Sequence, residues 1–260
     1  MVLVQSQMFS RAIVRIPSKS VVNGLCSNNF GPPVYEQAIE QHSEYVNALK
    51  KCGLDVIVLD PDEDFPDSTF VEDTAILTPD VAIITNPGAP TRKGETKNIK
   101  SVLADFFQSI EIIKYPGTLD GGDILAHGNH YYIGLSTRTN EGGAKQLTKI
   151  LDAHGMSAST VEVENGLHLK SSAAYLDNNC LVALENYAIL PQFKKFNILS
   201  IDTHEHYASN CVWINGFVLV PKGFPRAKNT IEDAGYETIE LDMSEFQKID
   251  GGLSCLSLRF

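Results

Sequence analysis

A chain of 260 residues, 43% hydrophobic and 20% charged, carries enough apolar content for a substantial core and none of the bias of a disordered or fibrous protein. Its formal net charge of −11, with no basic stripe, argues against nucleic acid as a partner and favours cationic small molecules. The five cysteines (Cys26, Cys52, Cys180, Cys211, Cys255) are odd in number and lack C-x-x-C spacing, which argues against a disulfide framework or a zinc ribbon and for a reducing compartment.

In chain order, residues 1–7 have neither a basic start nor an apolar core of signal-peptide length, and no later apolar run is long enough to cross a bilayer. The expectation is a cytoplasmic protein with no membrane partner. A strand over 11–16 precedes a helix over 34–51, whose Tyr35, Ile39, His42, Tyr45, Val46 and Leu49 form one apolar stripe. Strands rich in β-branched residues follow helical stretches at 55–60, 110–115, 159–164, 197–202 and 237–242. Between them lie hairpins over 70–85, 123–135, 171–183 and 209–221. Their turns fall at Thr78-Pro79-Asp80, His127-Gly128-Asn129, Asp177-Asn178-Asn179 and Asn215-Gly216. Helices are expected after each hairpin, over 96–108, 141–154, a short one near 191–196, and 226–234.

A fifth unit is split between the two ends of the chain. Residues 252–260 would form a strand with Leu253, Cys255 and Ser257 on one face, pairing with 11–16. Five similar units whose first and last strands combine imply a closed ring without exposed sheet edges. A single open α/β sheet is the alternative that element order alone leaves standing. No Gly-rich nucleotide-binding sequence follows any strand, and no linker interrupts residues 1–260, which read as one domain.

In such a ring, the loops that join each strand to the next hairpin converge at one end of the axis. Matched positions hold Asp67 and Phe70-Val71-Glu72-Asp73-Thr74, then Asp120-Gly121-Gly122-Asp123, then Gly166-Leu167-His168-Leu169-Lys170, then Asp250-Gly251-Gly252-Leu253-Ser254-Cys255. Cys255 on its own reads more readily as a small buried hydrophobe than as a nucleophile. Beside a histidine, a thiol becomes a competent nucleophile, and the histidine serves the leaving group and then water. Such a histidine needs a carboxylate partner. Asp120 is the natural candidate and Asp123 its rival. Extra carboxylates beside a thiol raise its pKa, so Asp67, Glu72 and Asp73 make sense if the substrate is itself a cation, and a guanidinium fits them. His204 and His206 have the spacing of two metal ligands on one strand face but no third partner nearby, so they read as solvated loop residues.

Phe70-Val-Glu-Asp73, Leu119-Asp-Gly-Gly-Asp-Ile124, Gly134-Leu-Ser-Thr-Arg-Thr-Asn140, Leu167-His-Leu-Lys170 and Ile249-Asp-Gly-Gly-Leu-Ser-Cys255 together resemble the dimethylarginine dimethylaminohydrolases, over nearly the whole chain from Met8 to Phe260. The resemblance implies the pentein fold, a fivefold pseudosymmetric α/β propeller of ββαβ units closed by its terminal strands. It implies hydrolysis of Nω-methylated arginine to citrulline and a methylamine, without metal or organic cofactor, and a homodimer. Cys255 is implied as the nucleophile that forms a thiouronium intermediate, His168 as general acid and then base, and Asp120, rather than Asp123, as its orienting acid. Leu25 on a closing loop, Asp67, Glu72, Asp73, Arg92, Arg138 and Ile249 are implied as substrate-binding residues. The two arginines would grip the α-carboxylate, and Asp73 would sit nearest the guanidinium.

The superfamily offers rivals on the same scaffold: arginine deiminase, a citrulline-cleaving hydrolase and an amidinotransferase. A non-catalytic pentein, such as a ribosome-binding anti-association factor or an inactive methylarginine sensor, is the rival of another class. Neither would need Cys255, His168 and Asp120 together.

Overall fold

The computed structural model describes residues 8–164 and 166–260. The leader expectation concerned residues 1–7, which lie outside the described residues. No helix among the described residues is long and apolar enough to cross a membrane.

The chain starts with β1 (Arg11–Arg15), α1 (Tyr35–Lys51) and β2 (Asp55–Leu59), which runs parallel to β1. The first complete unit is a hairpin of β3 (Ala75–Leu77) and β4 (Ala82–Ile84), the helix α2 (Thr96–Leu103) and β5 (Ile110–Ile112). The second has β6 (Ile124–His127), β7 (His130–Leu135), α3 (Glu141–Ala153) and β8 (Ser157–Glu162). The third has β9 (Ala173–Tyr175), β10 (Cys180–Leu184), the one-turn α4 (Glu185–Ala188) and β11 (Asn197–Ile201). The fourth has β12 (Val212–Ile214), β13 (Phe217–Pro221), α5 (Pro225–Asp233) and β14 (Glu237–Leu241). After α6 (Ser244–Gln247), β15 (Leu258–Arg259) returns to pair antiparallel with β1, Ile13 opposite Leu258.

Among the described residues five three-stranded sheets result, each with its middle strand antiparallel to one neighbour and parallel to the other. The repeat is ββαβ, and the fifth copy is assembled from the two ends of the chain, as the pattern predicts. Turn chemistry sets the registers. Asn215 (φ 50) and Gly216 (φ 99) both occupy the left-handed region, the conformation of a two-residue I′ turn, and put Ile214 opposite Phe217. Apolar faces of successive units bury one another: Leu125 and Tyr132 of the second unit pack with Leu181, Tyr187 and Phe193 of the third. Each such side chain contributes roughly 1.5–3 kcal/mol when fully buried.

Three expectations shift. The segment 253–257 is not a strand with alternating faces. Ser254–Leu256 is a 3-10 turn, held because Cys255 N–H donates to Gly252 O (3.2 Å) and Ser254 N–H to the Asn210 side chain (2.9 Å). Helix α2 stops at Leu103 rather than 108, where the chain turns so that Phe106 and Phe107 meet the Phe260 ring at 5.4 Å each. β8 spans Ser157–Glu162, two residues earlier than its apolar pattern suggests.

Each hairpin is preceded by a 3-10 turn: Val71–Thr74, Gly121–Asp123, Leu169–Ser171, Thr203–Ser209 and Ser254–Leu256. These turns touch in sequence around the axis, and the Asn210–Ser254 hydrogen bond joins the fourth to the fifth. The ring of turns is tight where Gly121 and Gly122 sit. A Cβ on Gly121 would fall 2.0 Å from Glu72 O, and one on Gly122 would fall 2.6 Å from His168 Nδ1. Only glycine lets the second unit's backbone approach so closely.

Candidate active site

The ring of turns delivers one chemically distinct group per unit to the same end of the axis. Asp73 lies in the first unit's turn, Asp120 enters the second, His168 enters the third and Cys255 lies in the fifth. His168 Nε2 hydrogen-bonds Asp120 Oδ2 at 3.1 Å, and Asp73 Oδ1 is 3.9 Å from the same nitrogen. Asp120 is fully buried, and its second oxygen accepts the Gly88 N–H at 2.8 Å. Asp123 is occupied elsewhere. It accepts hydroxyls of Ser136 (2.7 Å) and Thr139 (2.6 Å) and the Leu169 N–H (3.0 Å), which fixes the histidine loop from behind. The imidazole's carboxylate partner is Asp120.

One small pocket is lined by Leu25, Asp67, Asp73, Arg92, Arg138, His168, Ile249 and Cys255, with Phe70, Leu167, Asp250 and Gly251. Eight of the ten residues expected at the site therefore meet there. Asp120 lies directly behind His168. Glu72 does not line this pocket but another cavity, where it accepts Lys170 Nζ (2.6 Å), Ser254 Oγ (2.7 Å) and Arg259 (3.2 Å). Its carboxylate sits under the Cys255 loop, bonded to the Ser254 hydroxyl.

Arg92 also departs from expectation. Its guanidinium is buried and mostly engaged: NH1 contacts Asp73 at 2.5 Å, Nε and NH2 contact Glu95 at 3.1 and 2.8 Å, and NH2 donates to Phe70 O at 2.9 Å. It braces Asp73 and has no fork left for a substrate carboxylate. Arg138, its side chain 16% exposed and its NH1 3.7 Å from Asp120, is the more open of the two guanidinium groups.

The free volume in this pocket is about 20 Å³, room for a water molecule and not for an amino acid. Leu25 roofs it, its N–H bonded to Asp67 Oδ1 at 3.0 Å, while Ser27 N–H and the Asn28 amide hold Asp250 at 2.5 and 2.9 Å.

Electrostatics divide the pocket's groups. Burial pushes the Cys255 thiol up to about 12, and the nearby carboxylates of Glu72 and Asp73 add to the effect. Burial opposes a charge on His168, but Asp73, Asp123 and Asp120 outweigh it and hold the imidazole up at about 9. Asp73 is desolvated too, yet His168 and Arg92 hold it down at about 2. Burial raises Asp67, against Arg92, the Leu25 N–H and Arg138. At neutral pH the pocket thus holds a neutral thiol, an imidazolium and an ionised Asp73. Asp73, Asp120 and His168 offer ligand atoms within 4.8 Å of one another. The Arg92 cation already neutralises Asp73, which leaves little field for a metal ion.

A model of the family described as N,N dimethylarginine dimethylhydrolase, eukaryotic, matches residues 31–192. The chain is 48% identical to the N(G),N(G)-dimethylarginine dimethylaminohydrolase of Pseudomonas aeruginosa, over 97% of this chain and 100% of that one. The chain belongs to the dimethylarginine dimethylaminohydrolase family. A structure of the Pseudomonas aeruginosa enzyme, a cysteine-to-serine variant complexed with citrulline, superposes with a TM-score of 0.96 at 48% identity, covering 98% of this chain and 100% of that one. A histidine-to-glycine dimethylarginine dimethylaminohydrolase, solved as an adduct with S-methyl-L-thiocitrulline, matches equally well (TM-score 0.96, 48% identity, 97% and 100% covered). The pentein fold expected from the motifs is the fold of this family and of this chain.

Sequence reasoning missed Glu95 and Asn210. Glu95 braces Arg92 from three residues along, a signal present in Pro90-Thr-Arg-Lys-Gly-Glu95. Asn210 is the fourth unit's contribution to the ring, at the matched position that no charged residue marks. It donates to Lys170 O (2.8 Å) and receives the Ser254 N–H, so one amide ties the histidine loop to the cysteine loop.

Proposed function

We propose that this protein hydrolyses Nω,Nω-dimethyl-L-arginine, and Nω-methyl-L-arginine, to L-citrulline and the corresponding methylamine. The observation that carries the reading is the Asp120–His168 pair opening onto the pocket that Cys255 also lines, in a chain of this family. In the free protein the thiol is protonated. A guanidinium entering beside Asp73 offsets the negative field that holds the thiol's proton, so binding releases that proton to solvent and generates the thiolate next to the carbon it attacks. Sulfur bonds to the guanidinium carbon. The carbon–nitrogen bond to dimethylamine breaks as the imidazolium of His168 donates its proton to the departing nitrogen. The now neutral imidazole takes a proton from water, whose oxygen attacks the thiouronium carbon, and the carbon–sulfur bond breaks to release citrulline and thiolate. Asp120 orients the ring and stabilises its cation, and Arg138 grips the α-carboxylate. Ile249 and the Leu25 loop cover the amino-acid end and exclude water. Every step uses side chains of this chain, with no cofactor.

Cationic small molecules are the partners this pocket suits. All five cysteines are free thiols, which supports a cytoplasmic, reducing location. A homodimer follows from the family alone, and light scattering on the purified protein would decide it.

The test is citrulline release from dimethylarginine and from plain arginine. The reading expects turnover of the methylated substrate to exceed that of arginine, and Cys255→Ser to abolish it. Faster turnover of arginine would assign the chain to deiminase chemistry instead.

A further inference from the structure

A second, larger cavity of about 220 Å³ lies on the axis, and no residue lines both it and the catalytic pocket. The first hairpin strand of each unit contributes to its wall: Ile76 from β3, Leu125 from β6, Ala174 from β9, Trp213 from β12 and Leu258 from β15. These are apolar side chains, in a space somewhat below the roughly 300–1,000 Å³ of sites for drug-sized ligands. Three charged side chains line it: Glu72, Lys170 and Arg259. Glu72 is shared between the two cations, Lys170 Nζ at 2.6 Å and Arg259 NH2 at 3.2 Å, while its other oxygen takes the Ser254 hydroxyl at 2.7 Å. Two cations against one carboxylate leave a surplus positive charge, and both are largely withdrawn from water, with side chains 18% and 14% exposed. Lys170 Nζ makes one hydrogen bond among the described residues, so donors remain on it for an incoming group.

In a chain of net charge −11, a partly desolvated surplus cation lining one cavity with apolar side chains of the inner strands is a specific feature. A partly buried charge without a full counter-charge gains by receiving an anion. Apolar walls gain by covering hydrocarbon. Arg259 NH1 already donates to Ser257 Oγ (2.7 Å), Ser257 O and Ser254 O, so the open donors are those of Lys170. We propose that this axial cavity binds a small aliphatic carboxylate, with its head group on Lys170 in the positive field of Arg259 and its tail along the inner strands. Inorganic anions would satisfy the cations and leave the walls wet. Aliphatic amines would meet the surplus positive charge.

The chain's single tryptophan, Trp213, is 7% exposed and stands in the cavity wall, so its emission reports occupancy directly. Hexanoate, hexylammonium, 1-hexanol and inorganic phosphate are titrated into the native protein held in saturating L-citrulline, which keeps the catalytic pocket filled. Emission and calorimetric heat are read together. Hexanoate is expected to give a saturable change in both, and the other probes to bind at least about tenfold more weakly, the scale of one lost charge-assisted hydrogen bond. Lys170→Gln is expected to weaken hexanoate by a similar factor and Lys170→Arg to retain it. Ala174→Phe, which fills the cavity from β9, is expected to abolish hexanoate binding while citrulline binding persists. No heat and no emission change with hexanoate, equal binding of hexylammonium, or displacement of hexanoate by citrulline would each overturn the proposal. The probe series on the native chain decides the matter even if a variant fails to fold.

Discussion

Arg92 and Arg138 look alike in the sequence, two arginines in polar stretches, and the fold gives them different work. Arg92 is buried with Asp73 and Glu95, whereas Arg138 keeps the more open guanidinium. Arg92→Ala strands Asp73 and Glu95 without their counter-charge and is expected to cost about 3–5 kcal/mol of stability, the penalty for breaking a buried ion pair. Arg138→Ala is expected to raise KM more than it lowers kcat and to leave stability nearly intact. Urea denaturation with steady-state kinetics on both variants checks this, and equal loss of stability would refute the division. His168 supplies a pH signature. Its folded value, about 9, lies above the ordinary 6.5, so the folded state holds its proton more tightly than the unfolded chain. Its stabilising contribution is complete below about pH 6.5 and is lost as pH rises toward 9. Urea midpoints are therefore expected to fall between pH 6.5 and 9 in the native protein and to fall less in His168→Gln. Parallel declines in the two proteins would contradict the assignment.

At the scale of elements, the 3-10 turns are the working parts, and the sheets are the frame that points them inward. The Gly121-Gly122 step lets the second unit's turn fit beneath Glu72 O and against the His168 ring. Gly122→Ala places a methyl where the buried, Asp120-bonded ring stands, so kcat is expected to fall about tenfold or more and the denaturation midpoint to fall with it. Unchanged kcat would mean that the ring's position is not critical. Element-level expectations failed where a side chain, rather than periodicity, decided the local structure. Leu253, Cys255 and Ser257 alternate like a strand, yet Asn210 from another unit caps Ser254 and turns the segment into a 3-10 loop. No reading confined to residues 252–260 contains that long-range bond.

At the scale of the molecule, the repeat was legible because each ββαβ unit carries its own apolar periodicity and turn residues, and those signals are local. Asn215-Gly216 specifies its hairpin wherever it occurs. The ring's closure was legible because the first strand lacked a hairpin partner and the last lacked a helix. The candidate set of Asp120, His168 and Cys255 was legible through matched loop positions. The partners of each group were not: Glu72 faces the rear cavity, Arg92 faces inward and Asp123 serves Ser136 and Thr139, and all three depend on which side of the ring a turn presents. Side-chain direction around a closed axis is a tertiary property, and identical residue types on either side of it read alike in sequence.

The account's central claim is that the sulfur of Cys255 becomes covalently bonded to the guanidinium carbon during turnover. Acid-quenching the protein in steady state with dimethylarginine, followed by mass spectrometry of its peptides, tests this directly. The expected result is a thiouronium adduct confined to the C-terminal peptide carrying Cys255, absent with citrulline and absent in Cys255→Ser. An adduct on another residue, or turnover by the Cys255→Ser protein, would contradict it.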